Sequence, residues 1–459
     1  MTHTARASDS RTPAKARTRV LIVTDDVHGA APLIEELRAL SLDVQLKAFD
    51  GEKLSDTPVA APAAIVCYLT DYVESSAAII RRLRDHYAPR EIPVIGRLSR
   101  PTDMALPFDS ALFAPVHPVQ LAQRVFAMIR LGQMEREITR RLETLRDSFG
   151  QNVQLRDDDL RDPFRILFVG KADPAYMAVV NALQDKNVDV VAAFTSFSAF
   201  DYLHDRTFDA VVMNALTSQE PAMTISETMR RNSRLYHVPT LFLVDNETFT
   251  ASDRAYASGA RDLIDARAPM AEIAGRIMEL ANYHRLHSRL KSEFAGLGGS
   301  ACTDPETGVF NAEFLSAHLA RVSKDCRARG VPMTVLTMKL HPSSTDRVTA
   351  DDLRRAFGKA VELMAGLVRM QDIVARIDVD TVIIAFPEEV RASVETILDR
   401  MTGLIECAAF DSGDGRPSSL TLDIEAAIVE QEAFENADML IGSAIRSVER
   451  DGVSLERAS

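Results

Sequence analysis

The chain has 459 residues, of which 46% are apolar and 26% charged, with a net charge of -13 and four cysteines. This length predicts about three domains, and the composition is that of a soluble globular protein. The negative charge disfavours non-specific nucleic-acid binding. The absence of a long apolar run argues against a membrane span, and the scattered cysteines indicate a cytoplasmic protein without disulfides or a zinc site.

Two segments of the chain share one plan. Residues 1–17 are interpreted as a disordered tail, and the two segments are residues 18–147 and 163–292, with a linker at 148–162. Each opens with a short apolar run rich in β-branched residues and then alternates helical patterns with further apolar runs. This alternation predicts two doubly wound α/β domains, each a parallel sheet with helices on both faces.

Each of these segments ends in a long amphipathic helix, at residues 120–146 and 270–291. In the first helix, apolar residues recur within a strongly charged field. Such a helix can act as a stalk, pair with another helix, or be a solvated linker. His284 and His287 on the second helix have a spacing that metal ligands use. No nearby Cys or His completes a site, so we expect no metal there.

Residues 296–455 follow a different order: helix, strand, helix, two strands, helix, strand and helix. The two central strands, predicted at 372–377 and 381–386, are close enough in sequence to form a hairpin. We therefore predict an α+β domain with a central antiparallel sheet.

Three stretches of this third segment resemble the GGDEF domain, the module of diguanylate cyclases. Residues 304–311 read DPETGVFN and resemble its D-x-L-T-G-L-x-N motif, with Glu306 in place of leucine. Residues 369–372 resemble its R-x-x-D inhibitory site at the family's spacing, and residues 436–438 resemble part of its last helix. The two α/β segments resemble the receiver domains of response regulators, which implies flavodoxin-like folds in the order receiver, receiver, GGDEF.

The positions that catalysis needs in that family are altered here. The degenerate signature consists of Asp378, Val379, Asp380, Thr381 and Val382. It lacks both glycines, which let the backbone approach the GTP phosphates. Asp380 keeps one Mg²⁺ position, but Thr381 replaces the catalytic acid and Lys339 stands at the other metal position. The resemblance therefore implies a domain without cyclase activity.

The receivers also depart from their family, which uses an acidic pair after the first strand and an aspartate phosphoacceptor after the third. The first segment keeps the pair, Asp25 and Asp26, but Tyr68 falls at the acceptor position; a shifted register would offer Asp71. The second segment has no acidic pair and carries Asn214 at the acceptor position. We expect no phosphorylation of the second receiver, and that of the first stays open.

The resemblance implies that Arg369 and Asp372 bind cyclic di-GMP, with Arg400 assisting. An arginine fork can pair two acceptors on a phosphate or a guanine edge, and a carboxylate complements the guanine N–H donors. Three functions stay open: a catalytically inactive effector, a ligand-independent scaffold, and a GTP-binding pseudo-cyclase. The resemblance also implies a receiver-mediated homodimer, no cofactor, and cell-cycle signalling at a cell pole through protein partners such as proteolysis adaptors and their substrates.

Overall fold

The computed structural model describes most of the chain, namely residues 18–49, 61–70, 74–87, 91–99, 107–154, 162–343, 348–411, 419–431 and 436–451. The predicted tail at 1–17, part of the predicted linker and Asp71 lie outside the described residues. The chain forms two compact units. One contains residues 18–132 and 156–292, and the other contains residues 133–155 and 293–459.

The first α/β segment, receiver 1, is built on a five-stranded parallel sheet. Its elements are β1 (Thr18–Thr24), α1 (Val27–Ala39), β2 (Leu42–Ala48), β3 (Ala64–Leu69), α2 (Glu74–Tyr87), β4 (Val94–Leu98), β5 (Ser110–Phe113) and α3 (Pro118–Phe149). The strand order is β2-β1-β3-β4-β5, which is the flavodoxin-like order. The central strands read as continuous apolar runs because both of their faces are buried.

The second α/β segment, receiver 2, repeats this topology. Its elements are β6 (Phe164–Val169), α4 (Pro174–Leu183), β7 (Val188–Ala193), α5 (Ser196–Asp205), β8 (Ala210–Asn214), α6 (Glu220–Arg231), β9 (Thr240–Val244), α7 (Ser252–Ser258), β10 (Asp262–Asp265) and α8 (Met270–Gly296). The parallel strands are ordered β7-β6-β8-β9-β10. One apolar cluster fills each side of the sheet.

The two receivers contact each other within their unit. The ring of His117, just before α3, stacks on Tyr256 at 4.5 Å, and its Nε2 lies 3.0 Å from Asp253 of α7. Arg124 of α3 forms an ion pair with Glu279 of α8. Each receiver therefore covers part of the other's surface around its last strand and exit helix.

The third segment is an antiparallel sheet covered by helices, as predicted. Its elements are α9 (Ala312–Arg329), β11 (Met333–Pro342), α10 (Ala350–Ala365), β12 (Ile373–Arg376), β13 (Thr381–Pro387), α11 (Arg391–Cys407), β14 (Phe410–Asp411), β15 (Ser419–Leu420), β16 (Leu422–Glu430) and α12 (Ala437–Asp451). The main sheet has the order β12-β13-β11-β16 and is antiparallel throughout. This is a β-α-β-β-α-β arrangement, and the predicted fold class is confirmed.

Helix α3 differs from one interpretation of the sequence. The helix continues beyond the predicted domain boundary at residue 147, and its part from Gln133 onward belongs to the unit of the third segment. Ile138 and Leu145 are buried there. The interpretation of this stretch as a solvated linker is therefore wrong. None of the described helices has the length and apolar character that crossing a membrane requires.

Candidate functional site

The R-x-x-D segment forms a tight turn that leads into β12. The backbone N–H of Asp372 donates to the carbonyl of Arg369 at 3.0 Å, and the backbone N–H of Arg369 donates to Oδ2 of Asp372 at 2.8 Å. Asp372 is only 6% exposed, whereas the Arg369 side chain is 53% exposed. The carboxylate of Asp372 caps the turn, and of the two side chains only the guanidinium of Arg369 faces solvent.

The guanidinium of Arg369 is paired with Glu389, which lies in the loop after β13 and is mostly buried. The ion pair of Arg369 is therefore with Glu389 and not with Asp372. Half of the Arg369 side chain stays open to solvent, so a ligand can reach its remaining donors. Arg400 is exposed on α11, and among the described residues no hydrogen bond or ion pair joins it to Arg369 or Asp372.

Asp372 has an unusual electrostatic environment. Burial raises the pKa of Asp372 to about 7, and the nearby Arg369 opposes this rise only in part. Its Oδ1 has no hydrogen-bond partner within the described part of the chain. A buried oxygen without a partner is energetically unfavourable, so a donor brought by a ligand, or a proton, would stabilise this site.

Helix α3 holds the backbone of the turn in place. Arg141, which is almost fully buried, donates through Nη2 to the carbonyls of Met370 and Asp372, both at 3.0 Å. Its guanidinium also lies over the ring of Phe310 at 5.1 Å and donates through Nε to Glu137 at 2.7 Å. The turn that carries the ligand-binding candidates is therefore fixed by a charge-assisted donor from the exit helix of receiver 1.

Glu137 is the centre of a buried polar network on the same helix. It is fully buried, accepts from Arg140 and Arg141, and lies 2.9 Å from Nε2 of His318 on α9. Burial alone would raise the pKa of Glu137. His318 and the two arginines outweigh burial and lower this pKa to about 2. The Nδ1 of His318 is 2.8 Å from the hydroxyl of Thr144. Sequence reasoning missed this network because Glu and Arg three and four residues apart usually form a solvated helix face.

The degenerate signature forms the exposed hairpin between β12 and β13. Val379 at its tip is 73% exposed. The carboxylate of Asp380 accepts from the hydroxyl of Thr381 at 2.7 Å and lies 3.7 Å from Nζ of Lys339. Lys339 stands directly opposite Thr381 in the β11–β13 register. The carboxylate of Asp380 is thus paired with an ammonium group of the chain itself. Among the described residues, no cluster of three or more His, Cys, Asp or Glu side chains is suited to a metal.

The altered residue of the entry motif has a partner beside this hairpin. Glu306 forms an ion pair with Arg376 at 2.5 Å, and Arg376 also contacts Asp304 at 3.2 Å. Nε of Arg376 donates to the carbonyl of Asp378 at 3.0 Å. The substitution of leucine by Glu306 therefore links the entry motif to the hairpin, a contact that the sequence motif alone did not indicate.

In receiver 1, Tyr68 lies at the end of β3 opposite Thr24. Its hydroxyl donates to the carbonyl of Gly29 at 3.0 Å, and the guanidinium of Arg97 lies 4.1 Å from its ring centroid. Asp25 accepts from the backbone N–H of Thr70 at 3.0 Å. The phenol at the predicted acceptor position therefore makes a structural hydrogen bond.

The two members of the predicted acidic pair have different roles. Asp25 accepts from the N–H of Thr70 after β3. Asp26 instead caps helix α1 by accepting from the N–H of Gly29 at 2.8 Å.

In receiver 2, both the nitrogen and the oxygen of the Asn214 amide have a hydrogen-bond partner. Its Nδ2 donates to Asp173 at 2.8 Å, and its Oδ1 accepts from the N–H of Leu216 at 3.1 Å. Gly170 faces Asn214 with φ of +149°, and a Cβ there would lie 2.4 Å from the Asn214 Cβ. Gly170 and Asn214 therefore pack against each other, and Asn214 presents an amide at the predicted acceptor position.

Comparison with known proteins gives a weak but nearly full-length similarity. No family model matches the chain. It is 21% identical over 421 residues to the response regulator PleD of Caulobacter vibrioides, which covers 86% of this chain and 88% of that protein. This similarity, together with the two flavodoxin-like sheets and the antiparallel domain described above, supports a receiver and GGDEF architecture.

Solved structures resemble individual segments. The FimX GGDEF domain from Pseudomonas aeruginosa matches 33% of this chain and 93% of its own, with 19% identity and a TM-score of 0.29. The GGDEF domain of DgcB from Caulobacter crescentus, solved with c-di-GMP, matches 33% and 88%, with 13% identity and a TM-score of 0.28. A signal receiver domain from Syntrophus aciditrophicus matches 26% and 90%, with 15% identity and a TM-score of 0.24. Scores this low carry no weight for function.

Proposed function

We propose that this chain is a cyclic di-GMP-binding effector of cell-cycle signalling, in the manner of PopA, and that it is not a diguanylate cyclase. The observation that carries the proposal is the contrast at Arg369. Its guanidinium is half-exposed and available to an anion, while the turn below it is held by the buried Arg141. A preorganised turn that presents an arginine fork is suited to phosphate or guanine recognition.

The proposed binding mode assigns a separate task to each residue. The guanidinium of Arg369 would either leave Glu389 or keep this ion pair with one of its nitrogens. Its other donors would contact a phosphate or the Hoogsteen edge of a guanine. Arg400, exposed on α11, would add a second fork. Asp372 would keep the turn closed through Oδ2, while its Oδ1 accepts from a guanine N–H. In this role the buried carboxylate gains the hydrogen-bond partner that it lacks in the structure.

The absence of cyclase activity is proposed from the hairpin. Two-metal chemistry needs carboxylates around the metal ions, and here Asp380 is paired with the ammonium of Lys339. Thr381 supplies a hydroxyl where the family has an acid. An ammonium group at this distance would repel Mg²⁺ through charge, which disfavours the alternative of a GTP-dependent pseudo-cyclase.

The receivers are proposed to act as a platform. We propose a homodimer through receiver surfaces that the intramolecular contact at His117 and Arg124 leaves open, with receiver 2 not phosphorylated because Asn214 holds the acceptor position. Protein partners, such as proteolysis adaptors and their substrates, would bind this cytoplasmic assembly, with a cell pole as its proposed location.

Light scattering of the purified chain should give a dimer at micromolar concentration. A monomer both with and without cyclic di-GMP would contradict the proposal that the receivers form a dimerisation platform.

The deciding experiment is calorimetric titration of the full chain with cyclic di-GMP. We expect binding, a loss of affinity of roughly 5- to 150-fold in Arg369→Ala, since a bidentate contact contributes about 1–3 kcal/mol, and a smaller loss in Arg400→Ala. Arg354→Ala is the matched control, because Arg354 is also 53% exposed and also pairs with a glutamate. Its affinity should equal that of the unmodified chain.

Two outcomes would decide against the effector. No binding by the unmodified chain at tens of micromolar ligand would favour the ligand-independent scaffold. Equal affinity of Arg369→Ala and Arg354→Ala would place the ligand elsewhere. Circular dichroism of each variant should show the unmodified spectrum, since the backbone N–H of residue 369, which the turn needs, survives the substitution.

A further inference from the structure

Receiver 2 contains a cavity of about 350 Å³ at the edge of its sheet where the parallel strands begin. Arg165 at the start of β6, the residues just before β8 and β9, and helix α8 form its walls. This edge is opposite to the one that carries Asn214, which ends β8. The cavity therefore has no connection with the degenerate phosphoacceptor position, and it lies in the other unit from Arg369.

The walls of the cavity carry an excess of positive charge. Two carboxylates line it, those of Asp162 and Asp209. Four arginines also line it, namely Arg165, Arg206, Arg234 and Arg285. Arg285 is committed to Asp209 at 2.8 Å and to two backbone carbonyls. Within the described part of the chain, the other three guanidiniums have no ion-pair partner. Three arginine forks around one small cavity form an arrangement suited to a phosphate group.

A buried histidine lines the same cavity without a hydrogen-bond partner. His284 is 8% exposed, and neither of its ring nitrogens has a partner among the described residues. Its Nδ1 lies 3.8 Å from Oδ1 of Asp209, beyond hydrogen-bond distance. Buried polar atoms in native proteins are usually satisfied, so this imidazole indicates that a polar group completes the site.

The rest of the lining is flat or apolar. The ring of His237 stacks on that of His284, with centroids 5.4 Å apart and an interplanar angle of 12°. Burial, together with His284 and Lys291, lowers the pKa of His237 to about 4, so the imidazole of His237 is neutral near pH 7 and can face an aromatic ring. Apolar side chains such as Phe208 and Leu235 complete the wall. The cavity volume of about 350 Å³ lies near the lower end of the range of about 300–1,000 Å³ that is typical of small-molecule sites.

We propose that this cavity binds a small phosphate-bearing ligand with a flat ring, of the size of a mononucleotide. The phosphate contacts the guanidiniums of Arg165, Arg206 and Arg234, and the ring lies against the stacked histidines with a hydrogen bond to His284. The site is a second ligand site of the molecule, and it stands whether or not cyclic di-GMP binds at Arg369. The two histidines of α8 that the sequence singled out as a possible metal pair thus have different surroundings, and only His284 lines the cavity.

The test is calorimetric titration of the full chain with GMP and AMP, with guanosine and inorganic phosphate as partial ligands. We expect GMP and AMP to bind at least tenfold more tightly than either partial ligand. The double variant Arg206→Ala/Arg234→Ala should weaken GMP binding at least tenfold. Arg231→Ala is the matched control, because Arg231 is an exposed arginine of the same receiver that pairs with Glu227 outside the cavity.

The outcomes separate this site from the one at Arg369. GMP binding should be unchanged in Arg369→Ala; a parallel loss there would assign the nucleotide to the other unit and overturn the proposal. No GMP binding at millimolar concentration, or equal binding by the double variant and Arg231→Ala, would also overturn it. Inorganic phosphate that binds as tightly as GMP would refute the flat-ring assignment. His284→Phe, which keeps a buried ring but removes both nitrogens, should weaken GMP more than inorganic phosphate.

Discussion

The R-x-x-D turn and the degenerate hairpin lie at opposite ends of the same short strand, β12, yet they have opposite surroundings. The turn is covered by α3, its carbonyls accept from Arg141, and its aspartate is buried. The hairpin is open to solvent, with Val379 at its tip and hydrogen bonds mostly among its own residues. The stretch that matches the GGDEF pattern is therefore built into the fold, and the stretch that departs from this pattern is exposed.

This difference means that the sequence of the hairpin can vary without loss of the domain. Exposed hairpin residues contribute little to stability, so a change of residue there costs the fold little. The turn has less freedom, because loss of the side-chain oxygen of Asp372 would remove the cap of the turn in a buried region. The R-x-x-D residues therefore serve the structure of the turn, and experiments must separate this role from the proposed ligand binding.

The largest expected effect comes from breaking the network that supports the turn. Glu137→Ala leaves Arg140, Arg141 and His318 without their buried carboxylate, and removing one partner from such a network costs about 3–5 kcal/mol. Urea unfolding followed by circular dichroism should show a destabilised transition. All eight tyrosines lie between residues 68 and 283, so tyrosine fluorescence reports the receiver unit and should change little.

Glu143→Ala is the control for this experiment. Glu143 lies on the same helix but is 40% exposed and pairs with Arg321 at the surface, so its loss should cost less than about 1 kcal/mol. Equal destabilisation by the two substitutions would mean that the buried network does not hold α3 against the turn.

A second prediction concerns the pH dependence of the turn. Asp372 has a pKa of about 7 in the folded protein, above its usual value near 4 in an unfolded chain. The folded state therefore holds a proton that the unfolded state has released between these values, and stability falls as the pH rises from about 4 to about 7. Asp372→Asn removes this dependence and keeps an oxygen for the N–H of Arg369. It should be more stable than the unmodified chain at pH 8, by up to a few kcal/mol.

The measurement is urea unfolding of both proteins at pH 5, 6, 7 and 8. The stability difference should grow with pH and level off above 7. Asp399→Asn, on the exposed surface of α11, is the control for the loss of one carboxylate. A constant difference across this range would show that Asp372 is already ionised at pH 5 in the folded protein. If Asp372→Asn still binds cyclic di-GMP, the carboxylate serves the turn rather than the ligand.

The sequence was sufficient to predict the three folds because their signals are local. Apolar runs such as the one before Asp25, and the close pair of strands around residue 379, follow directly from strand periodicity. The role of α3 could not be predicted, since the burial of Glu137 and Arg141 depends on residues about 180 and 230 positions away. The motif likewise names Arg369 but not its partner Glu389, which follows the neighbouring strand β13.

The smallest expected effect is at the hairpin, with Asp380→Asn. Lys339 and Asp380 are both partly exposed and 3.7 Å apart, and such surface pairs contribute less than about 1 kcal/mol. The variant should match the unmodified chain in unfolding by urea and in its affinity for cyclic di-GMP, because the hairpin and the turn lie at opposite ends of β12. With GTP and Mg²⁺ or Mn²⁺, neither protein should form cyclic di-GMP above a blank without enzyme, as judged by liquid chromatography. Turnover by the unmodified chain that disappears in Asp380→Asn would instead mean that the hairpin still holds a catalytic metal, and that the pairing with Lys339 yields to it.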